Sequence, residues 1–392
     1  MRNHFRYILY FTFMMIVSCK KPYNPPAISA PGSYLVVEGV INSGPDSTII
    51  KLSRTVNLSS TITLNPVSGA VLTVESAQNA IYPLIETTNG NYVSPGLNLD
   101  NTQQYHLRIK TSDGKVFLSD FEAVNITPPI DSIGFMVQGN GIQLYVNTHD
   151  PSNNTKYYRW DYQETWQFHA EYESIYVTNG TAIVPRTYAQ MIYTCFAGDK
   201  SSDIILGSSA KLTQDVIYQN PITQVTSTSE KLETKYSILV NQYALTGDAY
   251  NFWVNLKKNT EQLGSIFDAQ PSNINGNIHC ITNPSEPVIG YISVSTIQHK
   301  RVFIANAQLP SAWSPVYPDQ CELDSDLYAR KIPGDPMPVN QVAMNLIPIG
   351  SSAIPVAAIY FDSFFVIGFI ASDSECVDCT IRGTQTQPSF WQ

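Results

Sequence analysis

Residues Tyr105 to Phe121 read YHLRIKTSDGKVFLSDF, two runs of alternating apolar and polar character, Tyr105 to Thr111 and Val116 to Phe121, that meet across Asp113-Gly114. Period-two alternation puts one side of each run on a core and the other in water, and Asp-Gly supplies the positive φ that a tight hairpin needs. The same grammar extends upstream through Tyr34 to Asn42, Ser47 to Val56, Ala70 to Ala77 and Ile81 to Thr87, which Asn89-Gly90 closes. Strands at this spacing predict an immunoglobulin-like β-sandwich over 34–127. Thr127-Pro128-Pro129 marks its end, because proline cannot donate to a strand ladder.

Downstream, a second β domain is predicted over 128–308. Asp131 to Val137 turns at Gly139-Asn140-Gly141 into Gln143 to Thr148, and Tyr157 to Phe168 and Ser237 to Leu245 are further strands. One segment changes period: Ala249, Phe252, Trp253 and Leu256 fall at i, i+3, i+4 and i+7, which predicts one amphipathic helix near 248–262 with Asp248 as its N-cap. Residues 309–392 form a closing segment expected to pack on the second domain. Eight of the chain's 25 prolines lie between 309 and 355, so this part is expected to be irregular. The fold class is therefore mainly β: an immunoglobulin-like sandwich, a second sandwich-like domain carrying one helix, and an irregular Pro-rich, Cys-containing C-terminal segment.

Composition agrees. The 392 residues are enough for two or three domains, only 14% are charged, and 44 aromatics (5 Trp, 23 Tyr, 16 Phe) suit half-buried strands. With 23 Lys+Arg against 32 Asp+Glu, no basic footprint for nucleic acid is present.

The amino end reads as an address. Arg2 and Arg6 precede an apolar run from Tyr7 to Val17, and Ile16-Val17-Ser18-Cys19 fits a bacterial lipobox, in which the Cys19 thiol takes a diacylglycerol. Residues 1–18 are then a signal peptide and 19–33 a linker. The expected location is the bacterial cell envelope, lipid-anchored to the outer membrane. Surface-export signals tend to be acidic after the Cys, whereas Lys20-Lys21 is basic, so both the periplasmic face and the cell surface stay open. The other long apolar stretch, Ile354 to Ala371, is interrupted by Pro355, Asp362 and Ser363 and is expected to form buried strands rather than a membrane span.

Catalytic signatures were sought by their physical requirements. There is no G-x-S-x-G elbow or phosphate-cradling G-x-x-x-x-G-K, and Leu144 stands where the third glycine of a dinucleotide motif would follow Gly139 and Gly141. His106, His149, His169, His279 and His299 are not spaced as zinc ligands, and Asp324-Ser325-Asp326 is expected to be a solvated loop rather than a calcium site. No enzyme activity, cofactor or metal is expected. On the 157–168 strand, Trp160, Tyr162, Glu164 and Trp166 share one face, while Arg159, Asp161, Gln163 and Thr165 share the other. The first set is either core or a ligand surface that stacks on a sugar, with the core reading favoured.

Beyond Cys19, five cysteines remain. Cys195, Cys321, Cys376 and Cys379 are disulfide candidates, and Cys280 is the expected free thiol. The acids Asp373, Glu375 and Asp378 around Cys376 and Cys379 disfavour thiolate, which argues against a redox motif and for a bridge from Cys321 to Cys376 or Cys379.

Leu35-Val36-Val37-Glu38-Gly39, Tyr236 to Val240 with Gln242-Tyr243, Phe252-Trp253 with Leu256-Lys257, Gly264 to Asp268 with Gln270-Pro271-Ser272, Glu286 to Tyr291, and Cys376-x-x-Cys379 before Pro388-Ser389-Phe390-Trp391 stand in an order that resembles domain of unknown function 4249, a family of Bacteroidota envelope lipoproteins. The resemblance implies proteins often encoded near TonB-dependent outer-membrane receptors, with no agreed catalytic residues. The expected function is binding, as an accessory to such a transporter with an unknown ligand; a structural envelope protein or an envelope hydrolase on glycan or peptide are the alternatives. Residues 264–279, with Gly264, Gly276 and Pro271, are expected to be a rigid loop that either docks the helix or binds.

Overall fold

The computed structural model describes residues 33–56, 61, 65–261, 276–317, 321–331, 333–334 and 337–392. Cys19, the signal peptide and nearly all of the linker lie outside these residues, as does most of the 264–279 loop.

The alternating runs pair as expected. Leu35–Asn42 and Thr48–Arg54 are antiparallel neighbours, and Gln104–Lys110 pairs with both Val71–Ser76 and Val116–Ser119. The strand Ile81–Thr88 pairs with Val71–Ser76 by its first half and with Asn91–Ser94 by its second, which wraps the network into two faces. Leu35, Val37, Ile50 and Leu52 from one face meet Leu72, Val74, Leu107, Ile109 and Phe117 from the other in a buried core. This is an immunoglobulin-like sandwich built by hydrophobic alternation.

It does not close on residues 34–127 alone. Ile278–Cys280 adds to Val116–Ser119, while Val288–Ile289 and Val294–Ser295 lie parallel to Leu35–Asn42. Ile278, Val288, Ile292 and Val294 enter the first core. A boundary at 127/128 thus assigns to the second domain a segment that hydrogen-bonds into the first, because two- and three-residue pairings carry no period to read. Thr127 and Pro128 are also buried at the junction rather than lying in a free linker: Thr127 Oγ1 accepts from Ala244 N at 3.0 Å, and Gln242 Nε2 donates to the Pro128 carbonyl at 2.7 Å.

The second sandwich packs a three-stranded sheet (Ile130–Gln138, Gly141–His149, Val216–Thr226) on a five-stranded one (Thr194–Lys200, Tyr157–His169, Lys235–Leu245, Ile297–Ala305, with Ile205–Ser208 at its edge). Gly139, at φ 58°, makes the turn between the first two strands. Ile142, Leu144, Val146, Trp160, Ile238 and Val240 fill the space between the sheets.

The helix runs Gly247–Glu261. It starts one residue before the expected boundary, because Thr246 Oγ1 accepts from Ala249 N at 3.2 Å and so takes the capping role, leaving Asp248 in the first turn, where its charge faces the positive end of the helix dipole. Ala249 and Phe252 pack with Val40 and Tyr291 of the first sandwich and Tyr243 and Leu245 of the second, so this one helix seals the joint.

The C-terminal region is more ordered than its prolines suggest. Asp324–Leu327, Ala353–Tyr360 and Val366–Asp373 form a separate C-terminal sheet over a small core of Val342, Leu346, Phe369 and Ala371. Asp324-Ser325-Asp326 is therefore strand, with Asp326 Oδ1 accepting from Asn345 Nδ2 at 2.8 Å, rather than a solvated loop. Bridges join Cys321 to Cys376 and Cys195 to Cys379, and among the described residues Cys280 is the buried free thiol. The tail beyond Cys379 crosses the five-stranded sheet, where Trp391 packs edge-on to Phe196 and Phe303.

Candidate functional site

The strand Tyr157–His169 decides which side chains face solvent. Its even residues point inward: Trp160, Tyr162, Glu164 and Trp166 are 0%, 7%, 5% and 8% exposed. A sheet packs against that face, so these four form core rather than the sugar-stacking surface that was the alternative. Each polar atom has found an internal partner. Trp160 Nε1 donates to Gln242 Oε1 at 2.8 Å, and Glu164 accepts from Tyr236 Oη and from Lys231 Nζ, both at 2.5 Å. Glu164 is thus the centre of a buried network rather than an edge cap, and burial, with its negative charge close by, pushes the Tyr236 phenol far up.

Of the odd residues, Arg159, Asp161 and Gln163 line a cleft of about 1110 Å³ between the two sandwiches. Arg159, Asp161, Asn241, Tyr243 and His299 form its floor on the five-stranded sheet; Glu38, Ile49 and Lys51 of the first sandwich face them. Helix residues Trp253, Leu256 and Glu261 close one end together with the loop 200–204. That end is fastened twice: Lys257 Nζ donates to the Ile204 carbonyl at 2.5 Å, and Ile204 N donates to Glu261 Oε1 at 2.7 Å.

At the centre, the Arg159 guanidinium lies 4.5 Å from the Tyr243 ring and 4.4 Å from the Trp253 ring, a double cation–π contact. Asn241 Nδ2 holds Asp161 Oδ1 at 2.7 Å. Burial raises the Tyr243 phenol well above its ordinary value, with Asp161 adding to this and Arg159 opposing it, so at neutral pH it is a neutral ring rather than an anion. The arrangement can bind and orient. Among the described residues, no group of three or more His, Cys, Asp or Glu is gathered as a metal site, and no helix is long and apolar enough to cross a membrane.

A second feature is the tip of the C-terminal sheet. Phe361, Phe364 and Phe365, in the turn between Ala353–Tyr360 and Val366–Asp373, are 79%, 85% and 67% exposed. The run Ile354 to Ala371, expected to be buried strands, forms the two strands but buries only part of them, since its middle projects past the small core. Asp362 Oδ1 accepts from the N–H groups of Phe364 and Phe365 at 2.9 and 3.0 Å, and Phe361 N donates to the Phe365 carbonyl at 2.9 Å, so the turn has a fixed shape.

Sequence reading missed both features. Alternation separates the two faces of the 157–169 strand but not which one a second sheet covers, and Trp253 was legible only as a helix-face residue.

No curated protein sequence matches this chain. Solved structures similar to it include a two-domain fibronectin type-III segment of chicken tenascin, at 12% identity over 54% of this chain and 90% of that one with a TM-score of 0.16. A Bacteroides uniformis protein suspected of carbohydrate binding is similar at 12% identity over 55% and 91%, TM-score 0.15, and chitinase ChiA74 of Bacillus thuringiensis at 13% over 49% and 28%, TM-score 0.14. At these scores none of them bears on the site. The sequence itself is more informative, since residues 20–301 match the model of the domain of unknown function DUF4249, and the chain belongs to that family.

Proposed function

We propose that this chain is an outer-membrane lipoprotein, anchored through Cys19, that acts by binding as an accessory to a TonB-dependent transporter. The observation that carries this reading is the exposed aromatic tip at Phe361, Phe364 and Phe365. Leaving a phenylalanine in water forgoes roughly 1.5–3 kcal/mol of burial, so three together on a shaped turn mark a surface made to be covered. The tip is preorganised by Asp362, and the Cys321–Cys376 bridge holds the sheet beneath it, which reduces the entropy a partner must overcome on docking.

The anchor follows from Arg2, Arg6, the apolar run and Cys19. Acyl chains contribute about 0.8 kcal/mol per buried methylene, so they hold a chain on a bilayer without a spanning helix. Replacing Cys19 with Ala is expected to abolish lipid labelling and move the protein from the membrane to the soluble fraction; retention in the detergent phase would show that the address is wrong. Affinity capture of the wild-type chain from native membranes is expected to recover an outer-membrane transporter, and recovery of no transporter would remove the accessory role.

A further inference from the structure

A guanidinium loses water when it is buried and normally regains hydrogen bonds from the protein. Arg159 does not. Its side chain is only 16% exposed, Nε is buried without a partner, and among the described residues none of its nitrogens donates a hydrogen bond. The Asp161 carboxylate stands 3.8 Å away, too far for one, and is already held by Asn241. The rings of Tyr243 and Trp253 lie 4.5 and 4.4 Å from the guanidinium carbon, which offsets part of its charge but satisfies no N–H. A planar fork held between two rings, with unmet donors, is matched by a two-oxygen acceptor, foremost a carboxylate.

The surroundings choose what carries that carboxylate. Val36, Ile49, Leu239, Leu256, Ile289 and Ile297 line the cleft with aliphatic surface, which suits apolar side chains better than a fully hydroxylated sugar. Five acids also line it, Glu38, Asp46, Asp161, Asp203 and Glu261, against Lys51, Arg159 and Lys200. A polyanion such as an acidic glycan would meet net repulsion, whereas a chain with one terminal carboxylate and amines elsewhere would not. The volume, about 1110 Å³, lies at or above the roughly 300–1,000 Å³ of small-molecule sites, so a segment of several residues fits.

We infer that the cleft between the sandwiches binds peptides by their carboxyl end, with Arg159 receiving the terminal carboxylate and the aliphatic walls receiving the preceding side chains. This site is separate from the aromatic tip, so it stands or falls independently of the transporter role.

The test uses the full chain, immobilised, and a tryptic digest of casein offered either untreated or methyl-esterified. Peptides are expected to be retained from the untreated digest and not from the esterified one. The best-retained peptide, synthesised as acid and as amide, is expected to bind at least about tenfold more weakly as the amide. Arg159→Lys, which keeps the charge but not the fork, should weaken the acid by a similar factor and leave the amide unchanged. If that variant does not fold, the acid–amide comparison on the wild-type chain still decides. Equal affinity of acid and amide, equal retention of the esterified digest, or retention of no peptide while oligogalacturonate or inorganic phosphate binds would each overturn the inference.

Discussion

The first sandwich and the C-terminal sheet differ in how they use large aromatic residues. Tyr92, Tyr105 and Phe117 are buried in the first, inside a core contributed by many strands; the C-terminal sheet has a core of four side chains and turns Phe361, Phe364 and Phe365 to water. One region is held by burial. The other is held by a covalent bridge and, thus secured, can present apolar surface without needing it for its own stability. The difference teaches that hydrophobicity in this chain serves two ends, and that a disulfide allows the second.

The largest effect that could break this contrast concerns the first core. Phe117→Ala should cost about 3–5 kcal/mol, through lost transfer energy and the cavity left behind, and should lower the unfolding midpoint in urea. A negligible shift would mean that this sandwich is not held by its core.

Next comes the bridge. Cys321→Ser with Cys376→Ser opens a loop of 55 residues, worth on the order of 4 kcal/mol by chain entropy. Hydrogen exchange should accelerate across 324–373 while 35–54 and 71–110 keep their protection. If both regions loosen together, the C-terminal sheet is not the separately stapled unit described above.

Much of this was legible in the sequence. Alternation and Asp113-Gly114 gave the hairpins of the first sandwich, the i, i+3, i+4, i+7 spacing gave the helix, and the acids around Cys376 pointed away from redox chemistry toward the bridge to Cys321. What was illegible has physical reasons. The return of Ile278, Val288 and Val294 to the first core is a long-range pairing of very short strands. The apolar run around Phe364 reads as interior because composition measures transfer preference and not position. Alternation placed Arg159 only on the other face of its strand, and the arrival of Trp253 from the helix is what makes it a half-buried cation.

A smaller effect sharpens the comparison from the other side. Phe364→Ser should change folding stability by no more than about 0.5 kcal/mol, since the side chain has little burial to lose. A cost of several kcal/mol in thermal unfolding would place that ring in a core rather than on a contact surface.

The smallest effect depends on pH. In the first sandwich, the backbone N–H groups of Gly69 and Gly90 donate to Glu86 at 2.8 and 3.2 Å and hold its carboxyl below the ordinary value. A carboxyl depressed in the folded state contributes stability that is present above its unfolded pKa, about 4.3, and is lost as pH falls through the lower folded value. Glu86→Gln should therefore lower stability slightly at neutral pH, where the carboxylate is charged, and converge on the wild-type curve below about pH 4, which flattens the acid limb; an unaltered acid limb would count against this turn as a contributor.

The central claim, that the aromatic tip is a docking surface for a transporter, is tested most directly by photocrosslinking in native membranes. A photoreactive residue is placed at position 364 on the tip or, as a comparator, at position 85, where Ile85 is an exposed apolar residue of the first sandwich. The account predicts a discrete adduct with an outer-membrane β-barrel transporter from position 364 and none from position 85. No adduct from 364, adducts with lipid alone, or equal adducts from both positions would contradict it.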